Sequence, residues 1–128
     1  MLLSNNVFTM TSTPKKTYTI DAAGKRLGKV ATEAAAVLIG KNDPDFAPHI
    51  LNDVEVTITN ASKLDVPEKK GTEIYQSYSG YPGGRRVETL KHLATRRGYA
   101  EVLKRTISGM LPKNKHRKRL MNQLVVTE

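Results

Sequence analysis

The chain has 128 residues, 38% hydrophobic and 26% charged, with nine glycines and six prolines, which suits one domain with its own core and excludes collagen-like, coiled-coil and wholly disordered chains. The absence of cysteine removes disulfides, thiolate zinc sites, iron–sulfur clusters and cysteine nucleophiles, and no apolar run approaches the ~18 residues that span a bilayer. The formal net charge is +9, from 21 basic and 12 acidic side chains, and calls for an anionic partner.

The first sixteen residues are polar-rich, without sustained periodicity, and read as a flexible N-terminal extension to one domain over 17–128. Their start has neither a basic n-region nor a small-residue cleavage site, so a soluble, non-secreted protein is expected. Thr17 to Ile20 is β-prone and is followed by the turn residues Asp21 to Gly24. Apolar residues at Leu27, Val30, Ala31, Ala34, Ala35 and Leu38 then keep helical spacing, and Gly40 follows as the helix stop. Asn42 to Asn52, with two prolines, reads as a loop; Val54, Val56 and Ile58 alternate with polar residues as a half-buried strand does. A turn at Pro67 to Gly71 precedes a second β-prone run, Ile74 to Ser79, which ends in the glycine-rich loop Gly80 to Gly84. Val87, Leu90, Leu93 and Ala94 predict a short helix stopped by Gly98, and Val102 to Met110 another stopped near Pro112. Leu124 to Val126 predicts a last strand. Strands interleaved with helices point to an α/β layer fold with a largely parallel sheet.

The charge is unevenly placed. Residues 1–84 hold nine basic and nine acidic side chains, whereas residues 85–119 hold twelve basic and two acidic ones. So concentrated an excess repels itself unless a polyanion neutralises it, and nucleic acid is the leading candidate. A pair such as Arg96-Arg97 reads by default as a solvated face; five basic residues within Lys113 to Arg119 do not. A membrane surface is disfavoured because tryptophan is absent and both phenylalanines lie outside the basic segment.

Sites for chemistry are missing or incomplete. Gly24 to Val30 resembles a phosphate loop, but three residues separate the glycines where four are needed, and Val30 stands where a hydroxyl would hold Mg²⁺. Lys25, Arg26 and Lys29 nevertheless oppose the dipole of the helix they open, which suggests an external phosphate as readily as solvated lysines. His49, His92 and His116 lack any metal-ligand spacing, no nucleophile elbow appears, and the acidic residues are scattered singly apart from Asp43 with Asp45 in a proline loop, so no enzyme activity, metal or cofactor is expected. Of the five tyrosines, Tyr78 and Tyr81 beside the glycines are the ones most suited to stack on bases.

The ordered series Tyr18 to Ala22, Gly24 to Thr32, Pro48-His49, Asn60 to Lys63, Tyr78 to Gly80, Gly83-Gly84 and Gly109-Met110-Leu111-Pro112-Lys113-Asn114 resembles the L-thirteen family of large-subunit ribosomal proteins, bacterial type, from about Tyr18 to Val126. The resemblance implies a four-stranded, mainly parallel sheet flanked by helices with a basic C-terminal region. It also implies binding to large-subunit rRNA beside neighbouring ribosomal proteins, early subunit assembly and a cytoplasmic location in the ribosome, with no small-molecule substrate. Carried over by position, the RNA-facing residues are Lys25, Arg26, Lys29, His49, Tyr78, Gly80, Gly83, Gly84, Arg85, Arg86, Lys113, Asn114, Lys115, His116, Arg117, Lys118 and Arg119. Two departures stand out: Lys115 to Arg119 replaces a Leu-Gly-Arg-like stretch, and the sequence stops at Glu128, without the longer basic tail.

Overall fold

The computed structural model describes residues 16–44, 46–51 and 53–128; the expected N-terminal extension lies outside these up to residue 15. Strand β1 (Lys16–Asp21) leads through a tight turn into helix α1 (Leu27–Ile39), whose buried residues are the six that the periodicity predicts. The helix ends where Gly40 takes a left-handed conformation (φ 85°) and its N–H reaches back to the Ala36 and Val37 carbonyls, a stop that residues with a Cβ adopt only with strain. The helical crossover delivers strand β2 (Val54–Thr59) parallel to β1, with Tyr18 opposite Val56 and Ile20 opposite Ile58.

A 3-10 turn (Ala61–Lys63) and the single-turn helix α2 (Glu68–Gly71) follow; the latter occupies the predicted turn at Pro67 to Gly71. Next come strands β3 (Ile74–Tyr78) and β4 (Arg85–Thr89), helices α3 (Leu90–Arg97), α4 (Tyr99–Met110) and α5 (His116–Asn122), and strand β5 (Leu124–Val126). Strand β5 adds to β2 in parallel, giving the order β1-β2-β5.

The expectation of one four-stranded, mainly parallel sheet is therefore corrected: the described residues form a three-stranded parallel sheet and a separate antiparallel hairpin, β3–β4. Parallel strands sandwiched between helices need apolar residues on both faces, and eight of the ten hairpin positions are exposed. The short glycine-rich connection also turns the chain straight back, which only an antiparallel partner can accept. Val87 is corrected as well. It belongs to β4 and is 53% exposed, and α3 starts only at Leu90, after Thr89 has capped it by accepting from the His92 N–H at 3.3 Å.

The core lies between α1, the parallel sheet and α4. Leu38, Ile58, Leu93, Leu103 and Ile107 are wholly buried there, and among the described residues no polar or charged residue is buried. Each such aliphatic side chain contributes about 1.5 to 3 kcal/mol through removal from water, so this layer sets the positions of every loop around it.

Candidate nucleic-acid interface

The turn that opens α1 is fixed by short-range bonds. Asp21 accepts from the Ala23 N–H and the Asn60 side chain, both at 3.0 Å, and the Gly24 N–H donates to the Lys63 carbonyl at 2.9 Å. The Asn60 bond, then that of Ala23, holds the Asp21 carboxyl below the usual carboxylate range. Gly28 is already helical, so only Lys25 and Arg26 stand outside the helix between the two glycines, too short a loop to wrap a phosphate. The three cations here differ. Arg26 pairs with Asp65 at 3.1 Å and Lys25 lies 3.8 Å from Glu33, whereas Lys29 is exposed and has no ion pair among the described residues. Exposed pairs of this kind are worth at most about 1 kcal/mol, so exchange of Asp65 or Glu33 for a phosphate costs little.

A second group forms where α4 ends. Leu111 is buried, and the chain turns over Pro112 so that Asn114 Oδ1 accepts from the His116 N–H at 3.1 Å. Asn114 thus caps α5, a structural use of a residue expected to face RNA. Buried Leu120 pins the helix from below; Lys113, Lys115, Lys118 and Arg119 are exposed, while His116 and Arg117 are half-buried. Basic residues crowd the start of this helix, against its dipole. Pro48 and Ile50, on either side of exposed His49, line with Leu38, Leu111, Asn114 and His116 one cavity of about 340 Å³, so the structure brings the His49 loop to the basic run. Thr32, one turn beyond Lys29, places its hydroxyl 3.8 Å from Met110 Sδ and ties α1 to the same end of α4.

The third group is the hairpin. Tyr78 pairs with Arg85 and Ser77 with Arg86. Because successive residues point to opposite faces, Tyr78 and Arg85 share one face with exposed Ile74 and Val87, while Ser77 and Arg86 share the other with Tyr75 and Glu88. Tyr78 and Tyr81 are 68% and 75% exposed. At the tip Gly80 and Gly83 have positive φ, and a Cβ on Gly84 would strike the Ser79 side chain and the Tyr81 carbonyl. The tip lines a cleft with Ser77, Tyr78 and Arg86, which contains no residue of the first two groups.

Sequence reasoning missed the charge web behind the hairpin. Glu88 accepts from Arg96 Nη2 at 2.9 and 3.0 Å, from Arg96 Nε at 3.3 Å and from Arg105 Nη1 at 3.3 Å, with His92 Nδ1 also 3.3 Å away. The Arg96 bonds are the chief reason its carboxyl lies below the usual range. Burial, conversely, pushes up the Tyr75 hydroxyl on the same face. Among the described residues no group of three or more histidines and carboxylates is gathered as a metal would require, and no helix is long and apolar enough to cross a membrane.

These features define an α/β protein that carries cationic loops and a tyrosine-bearing hairpin around a small parallel sheet. The model of the family described as ribosomal protein L13 matches residues 15–128, and the chain belongs to that family. It is 42% identical over 113 residues to a protein of Symbiobacterium thermophilum, covering 88% of this chain and 78% of the relative. It is likewise 42% identical to one of Gloeothece citriformis (88% and 74% covered) and 43% identical over 110 residues to one of Prochlorococcus marinus (85% and 73%). All three carry the description large ribosomal subunit protein uL13. The resemblance read from the motifs is thereby confirmed.

Proposed function

We propose that the chain is a structural, non-catalytic constituent of the large ribosomal subunit that binds large-subunit rRNA, supports early subunit assembly and works in the cytoplasm. Family membership carries this reading, since the relatives' descriptions place them in that subunit. The cationic groups give it a mechanism. Lys25, Arg26 and Lys29, the exposed members of Lys113 to Arg119, and Arg85 with Arg86 neutralise phosphates and release their counterions. Tyr78, on the open face of the hairpin, offers a ring to an unstacked base, and the bare backbone at Gly80, Gly83 and Gly84 lets RNA approach closely. Neighbouring ribosomal proteins meet the remaining surface.

Co-sedimentation tests it. In a sucrose gradient of a lysate, a tagged copy is expected with the large subunit in moderate salt. A tag that stays at the top of the gradient would overturn the ribosomal reading and favour a free RNA-binding protein.

A further inference from the structure

Arg86, Arg96, Arg97 and Arg105 line a cleft of about 500 Å³ between the β3–β4 hairpin and helices α3 and α4, and among the described residues Glu88 is the only carboxylate lining it. Even with Glu101 beside Arg105, four guanidiniums outnumber the two carboxylates that meet them. Arg96 meets Glu88 through Nε and Nη2 and keeps its Nη1 donors unspent. Arg105 is fixed from three sides, by Glu88, by Glu101 at 3.6 Å and by the Tyr75 ring, whose centroid lies 6.0 Å from its guanidinium carbon. Arg86 and Arg97 are exposed and have no ion pair among the described residues. The cleft also continues into the hairpin tip, because Ser77 and Arg86 line both.

We propose that this cleft is a further phosphate-binding site for structured RNA, in which Glu88 acts as a positioning residue. The proposal rests on the rRNA-binding reading above and adds a site to it. Free arginines lose rotamer entropy when they grip a phosphate, whereas Arg96 and Arg105, already held by Glu88, lose little. A negative charge therefore favours a polyanion here, the opposite of its through-space repulsion.

That opposition of sign makes the test decisive. The full chain is titrated onto an in vitro transcript of large-subunit rRNA by filter binding across a KCl series, with Glu88→Gln, Arg97→Gln and a charge control, Glu68→Gln, on exposed α2 outside the cleft. Glu68→Gln leaves affinity unchanged or raises it. Glu88→Gln is expected to weaken binding about 3- to 10-fold and to lower the salt slope by about one or two contacts' worth, at about 0.7 to 0.9 each. Arg97→Gln lowers the slope by about one contact. Should Glu88→Gln melt below the assay temperature, Arg97→Gln decides alone, because its side chain holds nothing together. Binding by Glu88→Gln that strengthens like the control, or an Arg97→Gln slope equal to the parent's, overturns the cleft. If replacing Arg117, Lys118 and Arg119 together by glutamine flattens the slope in that case, the general reading survives; a parent chain with no salt-dependent binding removes both.

Discussion

Strand β2 and the hairpin strands are almost equally long, yet they are held by different forces. In β2, Val54, Val56 and Ile58 are buried while their neighbours are half-exposed; in the hairpin only Tyr75 and Glu88 are even half-buried. The parallel sheet is therefore fixed by burial. The hairpin is fixed by its own ladder, by the Leu90 N–H donating to the Glu73 carbonyl at 2.8 Å at its base, and by the Glu88 web. One face of the hairpin is open and exposes Ile74, Tyr78 and Val87, while on the other Tyr75 and Glu88 meet Arg105 and Arg96.

The largest test of this contrast compares Leu38→Ala with Val87→Ala. Leu38 is wholly buried, so its truncation is expected to cost about 2 to 5 kcal/mol in urea unfolding. Val87 is 53% exposed, and its loss should stay within about 0.5 kcal/mol. Comparable losses at both positions would mean that the hairpin is packed as the body is.

Acid provides a finer probe. Glu88 has its folded-state pKa below the ordinary glutamate value of 4.5, chiefly through Arg96. Its contribution to stability is thus fully present above 4.5 and is lost as pH falls through the folded value. Amide hydrogen exchange measured from pH 6 downward and corrected for intrinsic rates should show protection in Ile74–Tyr78 and Arg85–Thr89 falling before that in Val54–Thr59. Simultaneous loss in both would show that Glu88 does not hold the hairpin in place.

How much of this the sequence reveals follows the same division. The six buried positions of α1 and the alternation of β2 are local periods created by one-sided burial, and the structure reproduces them. The hairpin lacks that signal because neither face is buried, and Val87 stands three residues before Leu90, a spacing that mimics a helix. Only the Thr89 cap marks the true boundary. The candidate interface is legible where it is a run of charge, as at Lys113 to Arg119, and where the family motif names residues. It is illegible where it is a constellation. Arg96 and Arg105 reach Glu88 across eight and seventeen residues, so Arg96-Arg97 reads as an ordinary solvated pair. Asn114 is the reverse case, for its place in the motif says nothing of the cap it supplies to α5.

The smallest expected effect on the fold comes from replacing Arg117, Lys118 and Arg119 together by glutamine. Lys118 and Arg119 are exposed, Arg117 is half-buried with no ion pair among the described residues, and the helix carrying them is held by Leu120 and by the Asn114 side chain on the His116 N–H, which the substitutions leave alone. Arg117 near the helix start opposes the dipole while Arg119 in the last turn suits it, so the unfolding free energy should change by no more than about 0.5 kcal/mol. Binding should respond quite differently. Loss of up to three phosphate contacts lowers the salt slope on an rRNA transcript by about 2, at about 0.7 per contact on single strands. Filter binding across a KCl series, run beside urea unfolding of the same variant, separates the two quantities. An unchanged slope with unchanged stability would remove α5 from the interface and leave the α1 turn and the hairpin to carry it.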